Sequence, residues 1–324
     1  MDQLKNPLLF ILLLAFGCQQ PGETPKFSLD ETPGQLEIFG EEIVSTSLYE
    51  RDFAISPNRK EIVFTLGNYK QSQRCLVSIK KEDQGWGSKQ ILPFSGKYND
   101  IEPFFSVDGK QLFFASNRPM DADTTRKDYN IWSVERGPEG WGDPVPLDTL
   151  INTSGDEFYP ALGKSGNLYF TATRKDGIGR EDIFLSTYGD QGYQKPVPLD
   201  STVNTAVFEF NAYVDPDEEL LIFSAFGRKD GNGGGDLYFS KKTADGGWAP
   251  AKNMGELVNS DKLDYCPFLD QSNGNFYFTS DRAGKFEGRL RSVEELQDLA
   301  DEILNGMGNI YRLNTGQLDM EIDQ

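Results

Sequence analysis

The chain has 324 residues, 12% of them aromatic, with 33 glycines, 17 prolines and a formal charge of −19. That acidity argues against a nucleic-acid partner, which needs a basic patch, and suits cationic partners or bound cations. Histidine is absent, which removes the usual general base, the commonest zinc ligand and every Ser-His or Cys-His arrangement, and leaves carboxylate chemistry of the glycosidase kind as the catalytic option.

The N-terminus reads as a targeting segment. Lys5 precedes an apolar run from Leu8 to Phe16, then Ala15-Phe16-Gly17-Cys18. The run is too short to span a bilayer, which takes about 20 residues, and has the form of an export signal. A cysteine directly after the small residue resembles the lipobox of bacterial lipoproteins, which implies a signal peptide over 1–17 and lipid attachment at Cys18. Residues 18–35, polar and rich in Pro and Gly, read as a flexible tether.

From residue 36 to the end the chain repeats one unit. The copies are FAISPNRKEIVFTLGN (53–68), PFFSVDGKQLFFASNR (103–118), PALGKSGNLYFTATR (160–174), AYVDPDEELLIFSAFGR (212–228) and PFLDQSNGNFYFTSDR (267–282). Aligned on Ile55, Phe105, Leu162, Val214 and Leu269, they recur every 50–57 residues. Each has an apolar strand, a turn such as Asp108-Gly109, Ser165-Gly166 or Asn273-Gly274, and an aromatic strand. A third strand follows (Asn130-Ile131-Trp132, Asp182-Ile183-Phe184, Asp236-Leu237-Tyr238, Asn309-Ile310-Tyr311), then a Gly-aromatic turn (Gly85-Trp86, Gly140-Trp141, Gly192-Tyr193, Gly247-Trp248) and a short fourth strand. Four short strands per period of this size make the blade of a β-propeller.

The fold expected is therefore all-β, a five-bladed propeller over 36–324. The last unit stops soon after Tyr311, without a fourth strand. Units end in Ile151-Asn152-Thr153, Val203-Asn204-Thr205 and Val258-Asn259-Ser260, and Val44-Ser45-Thr46 matches them, so residues 36–44 are expected to supply the missing strand and close a monomeric ring. One insertion, in the last blade, predicts a helix over about 292–304. Ser292 with Glu295 forms its capping box, Leu296, Leu299, Ile303 and Leu304 its apolar face, and Gly306 its end. It reads as a lid or docking element, or as a decorated loop packed on the propeller. Cys75 and Cys266 lie on different strand types of different units, which favours buried free thiols over a disulfide.

The segments FSVDGKQLFFASNR and GGGDLYFSKKTADGGWAPAKNMGELVNS, with the repeated third strands, resemble the WD40-like repeat of the TolB type. Similar repeats occur in periplasmic and outer-membrane lipoproteins of Gram-negative bacteria. The resemblance covers about 36–313 and implies an envelope protein that binds a protein or peptide segment at the propeller mouth.

The strongest periodic polar feature is an acid five residues before each anchor: Glu50, Asp100, Glu157, Glu209 and Asp264. In a propeller the first strand lines the channel, so these acids are candidates for a ring at one mouth that takes a cation or a basic ligand. Arg118, Arg174, Arg228 and Arg282 end the second strands and are the candidate structural partners, which would make the acids ion-paired stitches instead. Blade one has Asn68 where the others have arginine, so Glu50 is expected to lack that partner. The run from Lys229 to Asp236 resembles a calcium loop in composition but lacks the ligand spacing and final Glu of an EF-hand; no resident cofactor is expected, a calcium ion being the one candidate. The function expected is a non-enzymatic envelope lipoprotein, bound to the membrane by its lipid, that binds a protein or peptide. The alternative is glycan-binding or carboxylate-based glycoside processing, which would need two channel acids about 5–10 Å apart and free of arginine.

Overall fold

The computed structural model describes residues 27–83, 85–120 and 125–320; the signal segment and Cys18 lie outside them. Five antiparallel sheets form five blades. Their innermost strands are Tyr49–Ile55, Asp100–Phe105, Glu157–Leu162, Phe208–Val214 and Asp264–Asp270, and each pairs with the strand that follows it. In blade five the order runs outward from Asp264–Asp270 through Asn275–Ser280 and Asn309–Asn314 to Glu37–Ile38.

The ring closes with the N-terminal strand as expected. Glu37 faces Arg312, Ile38 faces Tyr311, and the Phe39 amide donates to the Ile310 carbonyl at 2.8 Å. Ser45 completes the match to the unit-ending motif. In blades two, three and four, Asn152, Asn204 and Asn259 bridge the amide and carbonyl of Ile131, Ile183 and Leu237. The Ser45 hydroxyl does the same to Ile310, at 3.1 and 3.3 Å.

The core lies between blades. One hydrophobic cluster fills each of the five seams. Because each sheet is packed on both faces, its second strand is apolar in succession; Leu112, Phe113 and Phe114 are all buried.

Two expectations need correction. Residues 27–35, read as tether, are docked at their described positions. Phe27 stacks on Trp86 with ring centres 4.8 Å apart, Leu29 is buried, and Arg312 and Asn275 hold the Ser28 and Glu31 carbonyls. Two apolar side chains in a polar run were enough to anchor it. The insertion helix spans Val293–Asp301, capped by Ser292, and buries none of its residues; Leu296 is 54% exposed. Ile303 and Leu304 fall beyond its end, and only the base of the insertion is pinned, by Asn305 to the Ser47 carbonyl. Both cysteines are free, Cys266 buried and Cys75 half-buried.

Candidate functional site: the two mouths of the channel

The five repeated acids do not rim a mouth: each is fully buried. Arg118 meets Asp100 at 2.6 Å, Arg174 meets Glu157 at 3.4 Å, Arg228 meets Glu209 at 2.9 Å and Arg282 meets Asp264 at 3.2 Å. Each guanidinium lies over aromatic rings of its own blade, as Arg228 does over Phe223 and Tyr238, and bonds a carbonyl of the loop entering the blade: Phe94, Ile151, Val203 or Val258. Glu50, Glu157 and Glu209 also accept the amide and hydroxyl of the threonine four residues earlier, and Asp264 those of Ser260. The unit ties entry loop, first strand and second strand together. Burial pushes the Glu50, Glu157 and Asp264 carboxyls up.

Glu50 has a partner after all. Lys89, just before the outer strand of blade one, places its ammonium 3.6 Å from Glu50 and 5.3 Å from the Phe64 ring centre. It takes the arginine's place from a different strand, which register alone does not reveal. The glycine run before Asp236 also has a packing reason. A Cβ on Gly233 would stand 2.3 Å from the Lys262 carbonyl oxygen of the next blade's entry loop. Asp236 accepts the Asn232 amide, and no metal-binding group of three acidic or thiol side chains occurs among the described residues.

The channel itself is built two residues after each acid. Asp52, Glu102, Tyr159, Asn211 and Cys266 all hold positive φ, between 50° and 61°, at a bulge in the innermost strand. Such backbone costs about 1 kcal/mol or more per residue, so the surroundings must fix it. Hydroxyls on neighbouring second strands do so: Thr279 accepts the Asp52 amide, Thr65 that of Glu102 and Thr171 that of Asn211, at 3.0–3.4 Å. Blade two has Ala115 at this position, and the Glu102 carboxylate accepts the Tyr159 amide instead, at 2.8 Å. Here the fivefold repeat breaks into five different side chains.

Arg51 crosses this plug. It donates to Asp52 at 2.8 Å and to Glu102 at 2.9 Å, and lies over the Tyr265 ring. Asn211 also donates to Glu102. Burial pushes the Glu102 carboxyl up to about 7, with Asp52 adding to the rise and Arg51 opposing it. From about 4.5 to about 7 the folded protein therefore holds a proton that the unfolded chain has released, and stability falls as pH rises through that window. Glu102→Gln is expected to flatten this fall; urea midpoints from pH 5 to 8 measure it, and an unchanged slope would assign it to another group.

The plug separates two unlike mouths. At the end where the innermost strands finish is an apolar funnel of about 290 Å³, floored by Phe104, Tyr213 and Phe268 and walled by Pro57, Leu162 and Pro216. Its rim charges are matched, Arg59 to Asp270 and Lys164 to Asp217. At the end where those strands begin is a polar pocket of about 200 Å³, whose lining includes Arg74, Tyr129, Phe158, Glu181 and Phe210, with Glu102 and Asn211 from the plug. The insertion leaves blade five between its second and third strands, on this same side. Sequence reasoning missed both mouths; the signal was the register two residues past each acid, where the copies disagree.

No family model matches the chain, and no curated protein matches it. Among solved structures it resembles a protein assigned as TolB from Agrobacterium tumefaciens, at 15% identity and TM-score 0.47, over 72% of this chain and 70% of that one. It also resembles an alpha-L-arabinofuranosidase from Lactobacillus brevis, at 10% identity and TM-score 0.49, over 82% and 90%. An exo-1,5-alpha-L-arabinanase from a bovine ruminal metagenomic library is similar at 11% identity and TM-score 0.48, over 86% and 99%.

Proposed function

We propose that the protein is a cell-envelope lipoprotein of a Gram-negative bacterium, held at the outer membrane by a lipid on Cys18, whose TolB-type propeller binds a protein or peptide partner. The observation that carries this reading is the apolar funnel. An open apolar cavity at the axis of a ring, surrounded by rim charges that are already paired, suits the insertion of an aromatic or aliphatic side chain from a partner segment. The docked N-terminal segment lies beside it: Arg59 and Asn273, from turns bordering the funnel, both bond the Leu29 carbonyl. Eight residues lie between Cys18 and Phe27, a reach of roughly 30 Å at full extension, so the lipid would hold this face close to the bilayer.

Glycan binding or carboxylate-based glycoside processing is the second reading, and it rests on Asp52 and Glu102 beside the polar pocket. Both acids bond Arg51, and Glu102 also serves Asn211 and the Tyr159 amide. An acid–base pair free of arginine would be needed for that chemistry, which favours the binding reading.

Crosslinking and pull-down from intact cells tests it. Wild type is expected to recover an envelope protein. Val107→Arg, at an exposed position lining the funnel, should lose that partner at an unchanged melting temperature, and Cys18→Ser should leave the membrane fraction. Recovery of no envelope protein, together with hydrolysis of a glycan by the pure protein, would overturn the proposal.

A further inference from the structure

The polar pocket at the other mouth contains two half-buried side chains of opposite charge, neither of which forms an ion pair among the described residues. Arg74, opening the third strand of blade one, lies over the Tyr129 ring with its guanidinium carbon 5.3 Å from the ring centre and bonds the Tyr129 hydroxyl. Its Nε is buried without a hydrogen-bond partner, and among the described residues no carboxylate forms an ion pair with it: Glu102, the acid of the pocket that feels its charge, is taken up by Arg51, Asn211 and the Tyr159 amide. Glu181, just before the third strand of blade three, has no cation and no side-chain hydrogen bond among the described residues. Burial, then Asp156 nearby, push its carboxyl up, as they do for a charge lacking compensation. Both residues line one cavity of about 200 Å³, yet no ion pair joins them. The Tyr129 and Phe158 rings, with centres 5.1 Å apart, line the same cavity together with Phe210.

Among the described residues, the cations beside the repeated acids and in the plug each meet an acid. Holding an unpaired charge out of water is costly, and two of opposite sign in one small cavity are relieved together by a ligand that carries both counter-charges. From this we infer that the polar mouth binds a compact zwitterion of the amino-acid type, a free amino acid or a dipeptide. Its carboxylate meets Arg74, its ammonium meets Glu181, and its apolar portion lies against Tyr129 and Phe158. A guanidinium gives a carboxylate two parallel donors, and the aromatic edges accept the aliphatic part of the ligand.

The site lies at the opposite end of the channel from the apolar funnel, so its failure would leave the partner-binding proposal untouched. The test is calorimetric titration of the full chain at low salt with free amino acids and Gly-X dipeptides, with their N-acetylated and C-amidated forms, and with uncharged monosaccharides of similar size. Unblocked zwitterions are expected to bind at least tenfold more tightly than either blocked form. Arg74→Met should abolish the preference for the free carboxylate, and Glu181→Gln the preference for the free amine. Glu181→Gln, which removes a charge without a partner, should not lower the melting temperature, and Arg74→Met, which gives up only the bond to the Tyr129 hydroxyl, should stay folded with a loss of about 1 kcal/mol. Equal binding of blocked and free forms, monosaccharides binding in their place, or no heat from any compound at millimolar concentration would each overturn the inference.

Discussion

Arg118→Ala is expected to destabilise the protein by about 3–5 kcal/mol, the cost of leaving a buried carboxylate without its counter-ion. Asp100 is fully buried and depends on Arg118, Ser116 and Ser95 for its hydrogen bonds. The arginine also lies over Phe114 and Trp132 and bonds the Phe94 carbonyl, so truncation loosens the loop that enters blade two. Urea denaturation should show a lower midpoint with an unchanged slope. Adding Asp100→Asn should recover part of the loss, because the orphaned charge then goes. Arg174→Ala should cost less, since its pair with Glu157 is longer, at 3.4 Å against 2.6 Å. A loss below about 1 kcal/mol for Arg118→Ala would show that water reaches Asp100 and that the stitch is not structural.

The same pairs show how far the sequence could be read. Acid and arginine recur at fixed register, so their meeting within a blade was legible from hairpin arithmetic alone. The closing strand was legible because Val44-Ser45-Thr46 repeats a motif with a backbone job, even though Ser45 replaces the asparagine of other units. Lys89 was not legible, since it reaches Glu50 from another strand. Nor was the helix's exposure: its apolar positions have helical spacing, but whether a neighbour covers them is a tertiary fact. The mouths were hidden for a related reason. Alignment draws attention to positions that agree, whereas the plug consists of Asp52, Glu102, Tyr159, Asn211 and Cys266, the position where each blade differs. Its logic appears only once Ala115 is seen to withhold the hydroxyl that Thr65, Thr171 and Thr279 supply, leaving Glu102 to replace it.

Removing the N-terminal strand should open the ring. Phe39 is 1% exposed, with ring centres 5.1–5.3 Å from those of Phe27, Phe53 and Tyr277, and it joins blade five to blade one. Phe39→Ala is expected to cost about 3–5 kcal/mol through lost burial and the cavity left behind. Deleting the residues through Ser45 goes further. Arg312 loses Glu37, the Ile310 amide and carbonyl lose Ser45, and Asn309–Asn314 becomes a bare sheet edge open to pairing with another chain. Size-exclusion chromatography should then show self-association, and the unfolding midpoint should fall further than in the point variant. A peptide covering residues 27–45, added in trans, should restore a monomer by refilling the vacant edge. A truncated protein that stays monomeric at the wild-type midpoint would mean that the four remaining blades and the open fifth hold the ring without its clasp, with stability residing in the five inter-blade seams alone.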